Sequence, residues 1–262
     1  MTLTTLAAAY LALAVAACAA QRAMLYPAPP VAREPTLAGG ALLRIPGPEG
    51  STVYAFHVPA PQGAPTVAHF HGNGEQLADT VWLASSYREA GLGFFAVEYP
   101  GYGLASAQAP SEAAIFAAAE AALVHLTGPL AVPSSQVVLQ GQSLGSGVAV
   151  ELAARGHGAR VALISPYTSI TELGQRMLPF LPVSSMVRDR FDSAAKAPAV
   201  KLPVLIVHGT ADEVVPFEMG ERLGALFPSA TLRRVEGAHH NDVLDAPGVL
   251  AALQQFALGL TP

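Results

Sequence analysis

The sequence predicts an α/β fold, with a mostly parallel central sheet and helices on both faces. Three observations predict it. Short apolar runs that end in turn residues recur along the chain, as strands buried on both faces do. Stretches of helical character separate these runs, which is the alternation of a parallel sheet. The pentapeptide Gly141-Gln142-Ser143-Leu144-Gly145 sits between an apolar run and a helix-forming run, the context of a sharp strand–turn–helix elbow.

The elements follow in chain order. Residues 1–25 are expected to be a signal peptide, a lipoprotein signal or a membrane anchor, and residues 26–262 the folded domain. The opening stretch LTTLAAAYLALAVAACAAQR carries no charge before Arg22, and its length suits a signal-peptide core or a marginal span. Val15-Ala16-Ala17-Cys18 resembles a bacterial lipobox, although no Lys or Arg precedes it. The expectation is therefore export and membrane association through the N-terminus, with the domain outside the cytoplasm. Cys18 is the one cysteine, so no intramolecular disulfide can form. Residues 26–35 are rich in proline and read as a linker.

ALLRIPG and STVYAFHVPA read as opening strands, the second partly alternating as in an antiparallel edge hairpin. TVAHFHG, GFFAVEYPG, SQVVLQG, RVALISP and PVLIVHG read as central strands, and TLRRVEGA as the last. Helices are expected in EQLADTVWLASSYREAG, SEAAIFAAAEAALVHL, LGSGVAVELAARG and FEMGERLGALF, with a closing helix over DVLDAPGVLAALQQFALGL. Ser111 followed by Glu112 is a helix-start signal. Apolar residues make up 52 % of the chain and charged ones 13 %, which excludes a disordered chain. The formal net charge of −5 argues against a nucleic-acid binder, which needs a basic surface.

Ligand sites in open α/β sheets lie beyond the carboxyl ends of the strands. Ser143 is placed there by the elbow. The loop after PVLIVHG offers Asp212, and the loop after TLRRVEGA offers His239 and His240. A serine hydroxyl needs a base to become a nucleophile. Imidazole can take that proton near neutral pH, and a carboxylate fixes its tautomer. The order Ser, acid, His along the chain is that of one serine-hydrolase architecture. An oxyanion would need backbone donors: the N–H of Leu144, directly after the serine, and one from the HFHGNGE loop, with Asn73 preferred over Gly74.

FHGNGE, YPGYG, GQSLGSG, SPYTS, HGTADEVVPF and HHND occur in this order. Together they make the chain resemble α/β-hydrolases of the Bem46-like group, which includes membrane-linked acyl-protein thioesterases and lysophospholipases. The resemblance covers nearly everything after the leader. It implies an α/β-hydrolase fold and a serine hydrolase with Ser143 as nucleophile, Asp212 as acid and His240 as base. His240 is selected because the family carries the base directly before Asn-Asp; where His239 stands, members usually have Gly.

The stretch of about 167–200 is an insertion that crosses the mouth of such a site. It is rich in Met177, Leu178, Phe180, Leu181, Val183, Met186 and Val187, and Pro179 and Pro182 break any long helix. An apolar lid favours small-molecule or lipid acyl esters as substrates; packing of the same residues on the sheet is the alternative. Arg188, Asp189, Arg190 and Asp192 read as a solvated, salt-bridged face. His69, His71 and His208 end different strands without ligand spacing and are expected to make structural hydrogen bonds rather than hold a metal. No cofactor is implied, since nucleophile, acid and base are all side chains.

Overall fold

A computed structural model describes residues 2–260. Eight strands form one sheet: β1 (Ala41–Pro46), β2 (Thr52–Val58), β3 (Thr66–Phe70), β4 (Gly93–Val97), β5 (Val137–Gln142), β6 (Arg160–Ile164), β7 (Val204–Gly209) and β8 (Ala230–Val235). Their order is β1-β2-β4-β3-β5-β6-β7-β8. The hairpin β1–β2 and the β2–β4 pair are antiparallel, and the other pairs are parallel. The helices are α1 (Leu3–Leu25), α2 (Val81–Glu89), α3 (Glu112–Thr127), α4 (Leu144–Ala154), α5 (Ile170–Met177), α6 (Val183–Met186), α7 (Ser193–Lys196), α8 (Phe217–Leu226) and α9 (Val249–Ala257).

The continuous apolar runs have a simple origin. Successive side chains on a strand point to opposite faces, and here both faces are covered. Ala68, Phe95, Leu139, Leu163 and Ile206 pack with α3, α4 and α8. Their neighbours Val67, Phe94 and Val138 pack with α2, and Ile164 and Val207 with α9. Apart from the strand ends Arg160 and Gln142, which are half-buried, the positions of β3 to β7 are buried, so few need to be polar.

Helix starts follow local chemistry. The Ser111 hydroxyl accepts from the Ala114 N–H and caps α3. Ser169 and Asp192 cap α5 and α7 in the same way. The closing helix is shorter than its sequence suggests. Only Val249–Ala257 is helical, because Pro247 disfavours helix at Ala246 and Gly248 takes φ +76°. Pro179 and Pro182 separate α5 from α6 as expected. The segment after them departs from the sequence reading. Asp189 accepts from the Tyr26 hydroxyl (2.9 Å), Asp192 caps α7, and the backbone N–H groups of Arg190 and Phe191 donate to the Glu112 carboxylate. These acids are used to fasten the insertion rather than to pair with Arg188 and Arg190. Among the described residues, no helix is long and apolar enough to cross a membrane.

One polar chain crosses the core under α2. The Tyr87 hydroxyl donates to Gln140 Oε1, and Gln140 Nε2 donates to His69 Nδ1 at 3.1 Å. His69 stacks on Phe94. Its Nδ1 is therefore an acceptor, and protonation would set a donor against a donor. Burial, with the nearby His71 adding to it, pushes the His69 pKa down to about 3. Between pH 6.5 and 3 the unfolded chain binds this proton and the folded chain does not, so the contribution to stability falls as pH falls through that window. The single group can contribute up to about 1.4 kcal/mol per pH unit. His69→Asn keeps an acceptor for Gln140. Its urea-unfolding free energy is expected to fall less steeply with acid than that of the unsubstituted chain, measured from pH 6.5 to 4.

Candidate active site

The elbow is built by close backbone approach. β5 ends at Gln142 and α4 starts at Leu144, leaving Ser143 at φ +49°, ψ −118°. This is a strained conformation for a residue with a Cβ, costing on the order of 1–3 kcal/mol. A Cβ on Gly141 would run into the Gly145 carbonyl, and one on Gly145 into the Phe70 carbonyl oxygen. The Ser143 N–H donates to the Ile164 carbonyl (2.9 Å), and its carbonyl accepts from Ser146 Oγ (2.6 Å). Its side chain caps nothing in α4, so the hydroxyl is free to point away from the helix.

It points at a histidine. His240 Nε2 lies 2.9 Å from Ser143 Oγ, and His240 Nδ1 lies 2.8 Å from Asp212 Oδ2. A carboxylate only accepts, so Nδ1 carries the hydrogen and Nε2 accepts from the serine hydroxyl. Asp212 and His240 are each 7 % exposed. Asp212 divides its oxygens. Oδ1 accepts from the N–H groups of Val214 (3.0 Å) and Val215 (2.7 Å), while Oδ2 serves His240 and lies 3.3 Å from His208 Nε2. Burial raises the Asp212 pKa, but the hydrogen bonds from His208 and His240 outweigh it and hold the carboxyl well below its usual range.

The adjacent pair is separate. His239 Nδ1 lies 3.0 Å from Glu213 Oε2, and both side chains are exposed. The Glu213 hydrogen bond raises the His239 pKa. Two neighbouring acids thus meet two neighbouring histidines as one buried pair and one surface pair, and only the buried pair reaches Ser143.

The loop after β3 faces the elbow. His71 Nδ1 donates to the Gly72 carbonyl (2.9 Å), and Tyr99 donates to the His71 carbonyl (2.9 Å). Tyr102 donates to Asn73 Oδ1 at 2.6 Å. The Gly72 N–H is taken by Glu75 Oε2 at 2.6 Å. The next backbone donors in the loop are Asn73 and Gly74, and Asn73 lines the same cavity as Leu144, the first residue of α4. Behind the loop, His71 Nε2 and Glu98 Oε1 lie 3.4 Å apart with both side chains fully buried. Burial lowers the His71 pKa, but the Glu98 carboxylate more than reverses this and raises it. His208 Nε2 carries its hydrogen between two acceptors, the Val215 carbonyl at 2.9 Å and Asp212 Oδ2 at 3.3 Å. His69, His71 and His208 therefore each have a structural partner. Among the described residues, no cluster of His, Cys, Asp and Glu is arranged to hold a metal.

Ser143 and His240 open into a cavity of about 470 Å³. The insertion supplies Leu173, Met177, Leu181 and Met186 to its lining, and the core supplies Asn73, Gln142 and Asn241. Leu181 and Val183 are buried, whereas Phe180 is 85 % exposed, so the insertion is only partly packed down. Sequence reading missed Glu75 and Glu98 as supports of the β3 loop. Glu98 had a signal, a lone carboxylate at the end of the apolar run GFFAV.

No protein-family model matches the chain. An uncharacterized protein of Mycobacterium tuberculosis is 33 % identical over 215 residues, covering 79 % of this chain and 75 % of that protein. Alpha/beta hydrolase domain-containing protein 17B of Homo sapiens is 36 % identical over 208 residues, covering 75 % of this chain and 67 % of that protein. Among solved structures, Est1E from Butyrivibrio proteoclasticus superposes with a TM-score of 0.63 at 18 % identity, over 83 % of this chain and 98 % of that one. That last likeness concerns the fold. With the sheet order and these relatives in hand, the chain belongs to the α/β-hydrolase family, in the Bem46-like group of the alpha/beta hydrolase domain-containing proteins, and is a hydrolase.

Proposed function

We propose that this hydrolase is a serine esterase or thioesterase acting on acyl substrates, with Ser143, His240 and Asp212 as nucleophile, base and acid. The observation that carries the reading is the unbroken run of two hydrogen bonds, 2.9 and 2.8 Å, from Ser143 Oγ through His240 to Asp212. It ends at a buried carboxylate and begins at an apolar cavity.

In this mechanism His240 Nε2 takes the hydroxyl proton as Oγ attacks the acyl carbonyl. The carbonyl oxygen becomes an oxyanion, held by the N–H groups of Leu144 and Asn73. Leu144 adds the positive end of the α4 dipole. The imidazolium is stabilised by Asp212, whose depressed pKa keeps it ionised. His240 then returns the proton to the leaving alcohol or thiol. Water, activated by the same histidine, releases the acid from Ser143. No cofactor enters any step.

The reading extends to place. An N-terminus lipidated at Cys18 would hold the domain at a membrane surface, outside the cytoplasm, where acyl lipids and acylated proteins are available. Stable anchoring takes more than one acyl chain. Mass spectrometry of the mature protein is expected to find an acylated Cys18 at its start. An intact Met1 overturns the lipidation.

Ser143→Ala is expected to abolish hydrolysis of p-nitrophenyl acetate and labelling by a fluorophosphonate. Equal labelling of the variant overturns Ser143 as nucleophile. His240→Ala is expected to lower kcat by about 10³-fold or more. His239→Ala, which removes only a surface ion pair, is expected to stay within about threefold. The reverse pattern in steady-state kinetics would assign the base to His239.

A further inference from the structure

The cavity beside Ser143 has a wall that the hydrolase core does not provide. Ala17, Cys18, Gln21, Met24 and Leu25 of α1 line it. These positions recur at three- and four-residue intervals and share one helix face. The same cavity is lined by Leu173 and Met177 of α5, followed by Leu181 and Met186.

The two walls are joined. The Tyr10 hydroxyl donates to the Phe180 carbonyl (3.0 Å), and the Arg188 N–H donates to Gln21 Oε1 (3.2 Å). Just past the end of α1, Tyr26 donates to Asp189 (2.9 Å). All three bonds link the N-terminal segment to the insertion. Gln21 is the one polar side chain on the lining face of α1, apart from the thiol. Its Oε1 serves Arg188, and its Nε2 donates to the Cys18 carbonyl at 2.9 Å. With both ends of that amide engaged, the wall offers little to a polar ligand. Burying sugar hydroxyls or a charged peptide there would leave them unpaired.

We infer that α1 is a substrate-binding element: its last two turns and the α5–α6 insertion form the two sides of a slot that takes the acyl chain of the ester cleaved at Ser143. The inference rests on the esterase reading and deepens it, by assigning acyl-chain selection to the N-terminal helix. Cleavage at Cys18 removes Ala17 and the Tyr10–Phe180 bond but leaves Cys18, Gln21, Met24 and Leu25, with the Gln21–Arg188 and Tyr26–Asp189 bonds that hold this wall to the insertion. The acyl carbonyl sits at Ser143, and the chain runs outward between Met24 and Met177. Each methylene buried in such a slot is worth about fourfold in binding.

The test uses the full chain and Met24, which is 58 % exposed and so tolerates replacement. Met24→Asp places a charge in the wall, and Met24→Trp fills the slot. The readout is the ratio of kcat/KM for p-nitrophenyl decanoate over p-nitrophenyl acetate. A fall of about tenfold or more in both variants is expected, as two or more methylenes lose their contacts. A second readout needs no turnover: displacement of bound 1-anilinonaphthalene-8-sulfonate by decanoic acid, expected to weaken in Met24→Asp. If acetate is hydrolysed but the ratio and the displacement stay within twofold of the unsubstituted chain, the α1 slot is overturned and the esterase reading stands. If no ester is hydrolysed while displacement depends on Met24, the slot is supported and the esterase reading falls.

Discussion

The contact on which the site depends is the approach of the α4 backbone to the end of β3. Gly145 lies so close to the Phe70 and His71 carbonyls that a methyl group has no place between them, and Gly141 lies as close to the Gly145 carbonyl. This proximity forces Ser143 into a left-handed turn. It also sets the first turn of α4 directly against the loop that follows β3. Ser143 and the β3 loop are positioned by the same backbone packing, and neither can move without disturbing the centre of the sheet.

Around that contact, burial sorts the ionisable groups. Asp212 and Glu213 are adjacent, as are His239 and His240, and the four make two pairs. The buried pair has water excluded from its charges, so its hydrogen bonds shift the carboxyl strongly. The exposed pair is screened and free to rearrange. Deeper still, His71 and Glu98 brace the β3 loop from behind, while His69 stays neutral in a chain with Gln140 and Tyr87. Three buried histidines thus have three different local tasks.

Most of the scaffold was legible in the sequence. Strands buried on both faces leave continuous apolar runs, and β3 to β7 all read that way. The elbow was legible because its glycines are demanded by sterics, and Ser143, Asp212 and His240 because each follows a strand at the same edge of the sheet. What remained hidden depends on distant partners. Nothing near Glu98 in the chain announces His71, and nothing near Glu112 announces the N–H groups of Arg190 and Phe191. The four charged residues of 188–192 looked like a solvated face, because a string of alternating charges carries no trace of Tyr26 or of the α7 cap. The closing helix was overextended because apolar residues on both sides of Pro247 mask the break that the proline and Gly248 impose.

The divided carboxylate of Asp212 has a consequence for timing. One oxygen is held by the turn leading into α8 and the other by His240, so the turn aims the group before any substrate arrives. Its rotation is frozen when the chain folds and is not frozen again in each catalytic cycle. In the proposed mechanism the acid therefore contributes no reorganisation to the barrier. The same bonds make the turn a sensor of the acid's identity: an amide at this position could still accept through one oxygen, but its NH₂ would face either the turn's donors or the histidine's. A change of charge at Asp212 would be felt as a change of loop shape as well as a change of chemistry.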